Sequence, residues 1–288
     1  MYQITKKSVF ITGVSSGFGF QVTKKLLEQN YFVVAVIRGG MIRGKNIFSE
    51  FSTQIANKQL ILLDGHLDNR ESLESCLIEA FNYFPDGLDI LINNAGFGLL
   101  GPVELQEEKQ IRMQFETNFF APLFIIQKLL PLLRKKQGRI INLSSLVGFN
   151  VFPFYGIYSA SKHAIDSLTE ALYYDLSIFK IQVCAIEPGG YKTGFSQNSK
   201  VSKESHHEFY QYEKRMIRFS KFLEFIQKKI EKDPAAVVDT IIKLCNKKNI
   251  PVRIRVGTES HINWFLKKIL PDQCRIILQD WVYRRFFF

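Results

Sequence analysis

Short, almost wholly apolar runs alternate along this chain with stretches of helical periodicity. The runs are Ser8–Thr12, Tyr31–Ile37, Leu60–Leu63, Leu88–Asn93, Arg139–Ser144, Ile181–Ile186 and Pro251–Val256. Strands this continuous in apolar residues are buried on both faces, as in a parallel sheet. Between them the pattern predicts a helix beginning near Ser16 and running through Gln29, a long one from Gln106 to Arg134, and another from Tyr158 to Ile178. Asp233 is the expected N-cap of a further helix, with Pro234 at its first position. This alternation predicts an α/β fold with one doubly wound, mostly parallel sheet. A chain of 288 residues, 46% of them hydrophobic, can bury one such core, so residues 1–288 are read as a single domain. Gly39, Gly40 and Gly44 mark a loop after the second strand. Residues 195–232 are polar, basic and aromatic and separate the sixth strand from the helix at Asp233, and residues 258–288 form a C-terminal extension.

The join between the first strand and first helix reads Thr12-Gly13-Val14-Ser15-Ser16-Gly17-Phe18-Gly19. Small residues at 13, 17 and 19 let backbone approach a phosphate and let the helix pack on the sheet, and a helix N-terminus there favours a dinucleotide pyrophosphate. The spacing differs from GxGxxG. Arg38 follows the second strand directly, and no Asp or Glu occurs between Tyr31 and Lys45, while Arg43 and Lys45 add positive charge. At this strand end an acidic residue holds the ribose 2′-hydroxyl of NAD, and an arginine accommodates the 2′-phosphate of NADP. NADP(H) is therefore favoured over NAD(H).

Tyr158 and Lys162 lie four apart in a predicted helix and share one face, thirteen residues after Ser145. A free tyrosine, with a pKa near ~10, is too weak an acid to cycle readily at neutral pH. A neighbouring cation is expected to lower that value. Ser145 supplies a second hydrogen bond that polarises a carbonyl. These are the parts needed to move a proton to oxygen while a cofactor moves hydride to carbon. A Tyr-x-x-x-Lys pair alone recurs on helix surfaces, so the combination carries the reading. His163 points off this face and is given no role.

With Asn93-Asn94-Ala95-Gly96 ending the fourth strand and Pro188-Gly189-Gly190-Tyr191-Lys192-Thr193 following the sixth, these motifs resemble the short-chain dehydrogenase/reductase family. Glu187-Pro188-Gly189 and the tail from Asp233 to Asp272 are most similar to its hydroxysteroid and retinol dehydrogenase branch. The resemblance implies a Rossmann-type sheet with a helical substrate lid over residues 195–232. It implies cofactor contacts from Gly13, Ser15, Ser16, Gly17, Phe18 and Gly19, from Asn94, Ala95 and Gly96, from Tyr158 and Lys162, and from Pro188, Gly189 and Thr193. In the family the first Asn, here Asn93, braces the sheet. The family spacing selects Ser145 over Ser144 and makes Asn118 a fourth catalytic member, which distorts a helix and holds a water that relays protons to the lysine. An Asp after the third strand holds the adenine amino group. Counting from the strand gives Asp64, and counting back from Ser72-Leu73 gives His66, with Asp64 preferred. The family's four-helix interface implies a homodimer or tetramer through helices near 106–134 and 158–178. Lipophilic residues 146–155 would wall the substrate pocket, so the expected substrate is a lipophilic ketone or aldehyde, or its alcohol. The competing class is a catalytically silent dinucleotide-binding regulatory or scaffold protein. The intact Ser145, Tyr158 and Lys162 argue against it.

The net charge of +11 is uneven: residues 198–288 hold 19 Lys and Arg against 10 Asp and Glu, a balance of +9, and the first 197 hold 19 against 17, a balance of +2. A solvated basic surface is expected, and with no nucleic-acid motif beside it no nucleic-acid partner is expected. Met1–Lys7 leads straight into the first strand without room for a signal peptide, and no apolar run approaches the ~20 residues of a membrane span. Cys76, Cys184, Cys245 and Cys274 form no CxxC pair and are read as reduced thiols, with no metal, in a cytoplasmic protein. Trp264–Leu270 and Trp281–Phe288 interleave aromatics with cations. Their aromatics are expected to pack on the domain or a partner subunit, with peripheral membrane contact as the alternative.

Overall fold

A computed structural model describes residues 6–191, 200–201, 212, 214–221 and 233–287. Among these residues the strands are β1 (Ser8–Thr12), β2 (Phe32–Ile37), β3 (Leu60–Asp64), β4 (Ile90–Asn93), β5 (Leu99–Leu100), β6 (Arg139–Leu143), β7 (Gln182–Pro188), β8 (Lys200–Val201) and β9 (Arg253–Val256). The helices are α1 (Gly17–Glu28), α2 (Gly40–Ile47), α3 (Ser52–Ala56), α4 (Arg70–Phe81), α5 (Glu108–Phe115), α6 (Ala121–Lys136), α7 (Gly156–Leu176), α8 (Ala235–Asn246), α9 (Thr258–Ile269) and α10 (Asp272–Phe287).

Seven strands form one sheet in the order β3-β2-β1-β4-β6-β7-β9, and every pairing in it is parallel. Side chains alternate between its faces. Val9, Ile11, Val33 and Ala35 pack with α1 and α8 residues such as Val22, Leu26 and Ile241. Phe10, Val34 and Val36 pack on the other face with Leu77, Ile125 and Leu129 of α4 and α6. Both faces are thus covered, which is why the strands read as unbroken apolar runs. β1 and β4 are neighbours while β2 and β3 lie on the far side of β1, so the direction in which strands are added to the sheet reverses at β1. A crevice opens beyond the carboxyl ends of strands at such a switch point.

Three sequence expectations are corrected. The glycine-rich stretch after β2 is not a loop throughout: residues from Gly40 onward form α2. A Cβ on Gly44 would lie 2.6 Å from Leu62 Cδ1, so that glycine serves close packing of helix on strand. The long helix predicted over 106–134 begins at Glu108 and is interrupted by a π turn at Glu116–Phe120 before α6. α8 starts one residue late, with Pro234 at the cap position and Asp233 Oδ1 accepting from the Ala235 N–H at 2.8 Å. Thr193 and most of the predicted lid lie outside the described residues. Within that stretch β8 pairs with β5, and residues 214–221 are helical. No helix among the described residues is long and apolar enough to cross a membrane.

Candidate active site

The crevice is tied together by polar side chains that cross between strand ends. Asn94 Nδ2 donates to the carbonyls of Thr12 at 3.0 Å and Gly13 at 2.9 Å. Thr12 Oγ1 accepts in return from the backbone N–H groups of Asn94 and Ala95, each at 3.2 Å. Asn93, one residue earlier, points the other way and donates to Asn142 Oδ1 of β6 at 2.9 Å, and Asn142 donates to Thr169 of α7. The turn from β1 to α1 folds against this segment. Gly13 has φ +72°, and a Cβ there would sit 2.6 Å from Ala95 Cα. A Cβ on Gly19 would meet the Gly13 carbonyl oxygen at 2.2 Å. Only glycine fits either position.

The residues present fit a dinucleotide. Ser16 is the N-cap of α1 in an extended conformation and makes no side-chain cap bond, and the first turn holds no acidic residue. Its N–H groups are therefore available to an anion. Ser15 and Ser16 are exposed, and Gly17 and Phe18 half-buried, at this end of the crevice. Arg38 is exposed immediately after β2. Asp64, at the end of β3, accepts from the Gly39 N–H at 2.8 Å, and His66 Nε2 lies 3.9 Å from its Oδ1. The two alternatives for the adenine side thus stand together at one strand end. At the end of β7, Pro188 is buried and the Gly189 N–H donates to the Val256 carbonyl at 2.8 Å. Tyr191 stacks edge-on against Phe18 at 5.9 Å.

The hydroxyls of Ser145 and Tyr158 are hydrogen-bonded to each other. β6 and α7 bring them together, and Ser145 is half-buried while its neighbour Ser144 is turned into the interior at 4% exposure. Lys162, also 4% exposed, donates from Nζ to the Leu143 carbonyl at 2.6 Å and sits 5.9 Å from the centre of the Tyr158 ring. Gly96 passes beside the ammonium: a Cβ there would lie 3.5 Å from Lys162 Nζ and 3.2 Å from Asn118 Oδ1. Asn118 lies in the π turn, and its amide brackets Phe97. Oδ1 accepts from the Phe97 N–H at 3.2 Å, and Nδ2 donates to the Phe97 carbonyl at 3.0 Å and to Ser161 Oγ at 3.1 Å.

Burial governs the protonation of this group. It pushes the Tyr158 hydroxyl above the ordinary tyrosine range, against the opposing bond from Ser145. The sequence expectation of a cation-lowered tyrosine is therefore corrected: here desolvation outweighs any help from Lys162, whose ammonium is turned to a carbonyl. Burial also brings Lys162 down to about 8, with the Asp166 carboxylate one turn later opposing the fall. Asp166 is itself pushed up to about 6 by burial, against the Ser144 hydroxyl, Arg253, Lys162 and Arg255.

Residues 146–155 divide between two places. Tyr155 lies 6.0 Å from Tyr158, ring centre to ring centre, and Phe219, 6% exposed, packs on Phe154 at 5.2 Å and Tyr155 at 5.9 Å. Phe149 to Pro153 instead line a cavity of about 480 Å³ beneath α10, with His163, Lys267, Arg275 and Tyr283. Three supporting residues carried no readable sequence signal as such. Gln114, fully buried, accepts from the Leu99 N–H at 2.7 Å and donates to the Phe97 carbonyl. Ser161 holds Asn118, and Asp166 stands behind Lys162. The i, i+4 spacings of 114 with 118 and of 162 with 166 were the available hints.

The sequence profile of the short chain dehydrogenase family matches residues 7–204. The 3-ketodihydrosphingosine reductase of Bacteroides thetaiotaomicron is 34% identical over 254 residues, 86% of this chain and 87% of that protein. The NADPH-dependent 3-dehydrocapnine reductase of Ornithobacterium rhinotracheale is 34% identical over 189 residues, 64% of this chain and 65% of that one. A crystal structure of a short-chain dehydrogenase from Streptomyces avermitilis shares the fold, with a TM-score of 0.77 over 97% of each chain at 22% identity. With the family profile spanning β1 to β8 and the crevice built for a dinucleotide, this chain belongs to the short-chain dehydrogenase/reductase family and is an NAD(P)-dependent oxidoreductase.

Proposed function

We propose that this protein reduces the ketone of a lipophilic substrate with NADPH, and that Tyr158 is the proton donor. The hydrogen-bonded Ser145–Tyr158 hydroxyl pair, beside the buried Lys162, carries the reading. When bound, the reduced nicotinamide supplies hydride to the carbonyl carbon. Ser145 donates to the carbonyl oxygen and polarises it, and Tyr158 delivers the proton. Because burial holds the Tyr158 hydroxyl protonated, the resting site suits reduction. Lys162, charged below about 8, stabilises the phenolate that the transfer leaves behind. Asn118 serves as the fourth member by fixing Gly96 and Phe97 beside the ammonium.

On the cofactor side, Gly13, Ser15, Ser16, Gly17, Phe18 and Gly19 take the pyrophosphate, Asn94, Ala95 and Gly96 the adjoining ribose, and Pro188 and Gly189 the nicotinamide end. Arg38 pairs with a 2′-phosphate, and the exposed cation at the β2 end, with no Asp or Glu between Tyr31 and Lys45, favours NADP(H). The NADPH-dependent relative favours the same choice. Phe154, Tyr155 and Phe219 form an aromatic rim beside Tyr158. Both relatives reduce compounds named as 3-keto or 3-dehydro forms, of dihydrosphingosine and of capnine, which favours a keto lipid over a steroid or retinoid. Self-association is proposed through the exposed Tyr173, Tyr174 and Ile178 of α7 and the turn that follows it.

Tyr158→Phe removes one oxygen and should leave fold and NADPH binding intact while cutting turnover of a lipophilic ketone by ~10²-fold or more. Steady-state kinetics on the purified variant check this, and near-normal turnover defeats the assignment. Arg38→Ala removes a charge-assisted hydrogen bond worth ~1.5–3 kcal/mol and should weaken NADPH at least ~10-fold while barely moving NADH. Fluorescence titration of both cofactors decides it, and a wild-type preference for NADH sinks it.

The lysine gives a pH dependence with a definite sign. Lys162 is charged below about 8, so reduction should fall as pH rises through that value. Asp166 holds the proton on Lys162, so Asp166→Asn should move this alkaline limb to lower pH. An unmoved limb in the kcat profile contradicts the coupling. For assembly, light scattering at micromolar concentration should give at least twice the 33.4 kDa chain mass, and a monomer would contradict it.

A further inference from the structure

The last two helices leave several large apolar side chains in solvent, whereas an ordinary surface helix buries its apolar stripe. Along α10 the inward row is Arg275, Gln279 and Tyr283. Arg275 donates to Asn150 Oδ1 at 2.8 Å, and Gln279 donates to the same oxygen at 3.0 Å. Its exposed residues include four large apolar ones: Ile276, Ile277, Leu278 and Trp281 are 44–62% exposed. On α9, Trp264 lies under the Arg255 guanidinium at 4.4 Å, and Lys267 reaches back to the Phe149 carbonyl at 2.8 Å. Ile262, Phe265 and Ile269, spaced three and four apart along one face, are 52–56% exposed. Seven large apolar side chains are thus exposed on two consecutive helices that already hold polar contacts to the domain.

We propose that the outer face of α9 and α10 docks on an anionic lipid bilayer surface. The charge pattern selects this occupant. Lys268 lies in the last turn of α9, and Arg285 lies beside the Asp280-paired Arg284 in the last turn of α10, so a cation stands at the far end of each exposed apolar set. Bulky apolar groups entering the headgroup boundary with Lys and Arg meeting anionic headgroups is the composition of an interfacial anchor. A second copy of the chain suits the surface less well. A twofold contact presents the same patch on both sides, so these cations would be repeated within one interface. The acids of the two helices are already engaged: Asp272 pairs with Arg275 at 3.2 Å, Asp280 with Arg284 at 2.6 Å, and Glu259 is turned toward Gly189.

The test uses the full chain and vesicles of phosphatidylcholine, with and without phosphatidylglycerol. The wild type should sediment with the phosphatidylglycerol vesicles, lose binding as salt is raised, and bind pure phosphatidylcholine at least ~10-fold less. The doubly substituted Ile277→Asn, Trp281→Ser protein should bind at least ~10-fold less to the anionic vesicles. Both positions are more than 60% exposed, so its fold and its NADPH turnover on a water-soluble ketone should be unchanged. That turnover also separates a failure of this inference from a failure of the proposed reaction. A wild type that ignores anionic vesicles at low salt, or a double variant that binds as well as wild type, overturns the proposal. So does a wild type that ignores vesicles but forms an oligomer that the double variant has lost.

Discussion

The two ends of β1 and β4 are tied to each other through Asn94 and Thr12, and the site depends on that tie. A parallel sheet gives its strands no direct contact beyond their carboxyl ends, so two neighbours whose chains leave in opposite directions would splay. Here one amide bridges two carbonyls of the glycine turn while one hydroxyl gathers two N–H groups of the opposing segment. The bridge fixes how closely the α1 N-terminus approaches Ala95 and Gly96. Gly96 in turn runs beside the Lys162 ammonium and Asn118. One set of hydrogen bonds therefore relates the anion-binding end of the crevice to its proton-handling end.

Behind that face the protein accepts a costly arrangement. Lys162 and Asp166 are both nearly inaccessible on one side of α7, and burial works against the charged form of each. An isolated ammonium there would tend to lose its proton, and the neighbouring carboxylate offsets part of that tendency. Arg253 and Arg255 on β9 extend the compensation to the last strand of the sheet, where Arg255 also meets the buried Glu187 at 3.0 Å. The edge strand thereby contributes to the electrostatics of a lysine that it does not touch.

Much of this was legible in the sequence, and the physical reasons differ by element. The strands could be read because burial on both faces leaves an unbroken apolar run. The glycine turn and the Tyr158–Lys162 pair could be read because local backbone geometry sets their spacing, whereas Asn93–Gly96 and Ser145 were picked out by the resemblance. The stretch from Gly39 to Gly44 was misread because glycine was taken as a breaker, whereas Gly44 is small to admit Leu62. The interruption of the long helix was placed only by resemblance, because no glycine or proline stands within Glu116–Phe120 to mark it. The tyrosine's acidity was misjudged because a cation four residues away says nothing of where its ammonium points, nor of how dry the pocket is. The split of residues 146–155 was invisible because both destinations are apolar.

The strand order has a consequence for how the chain assembles. β1 is made first and lies third in the sheet, yet one of its edges pairs with β4, where Val9 stands opposite Ile90. Until the chain has grown past that point, Phe10 and its neighbours form an open strand with one partner at most. Contacts this distant in sequence close slowly because loop entropy must be overcome first. An exposed strand edge of such composition is also prone to pair with the wrong chain. The length of chain between Thr12 and Ile90 therefore sets how long one edge of the central strand stays open while the chain grows.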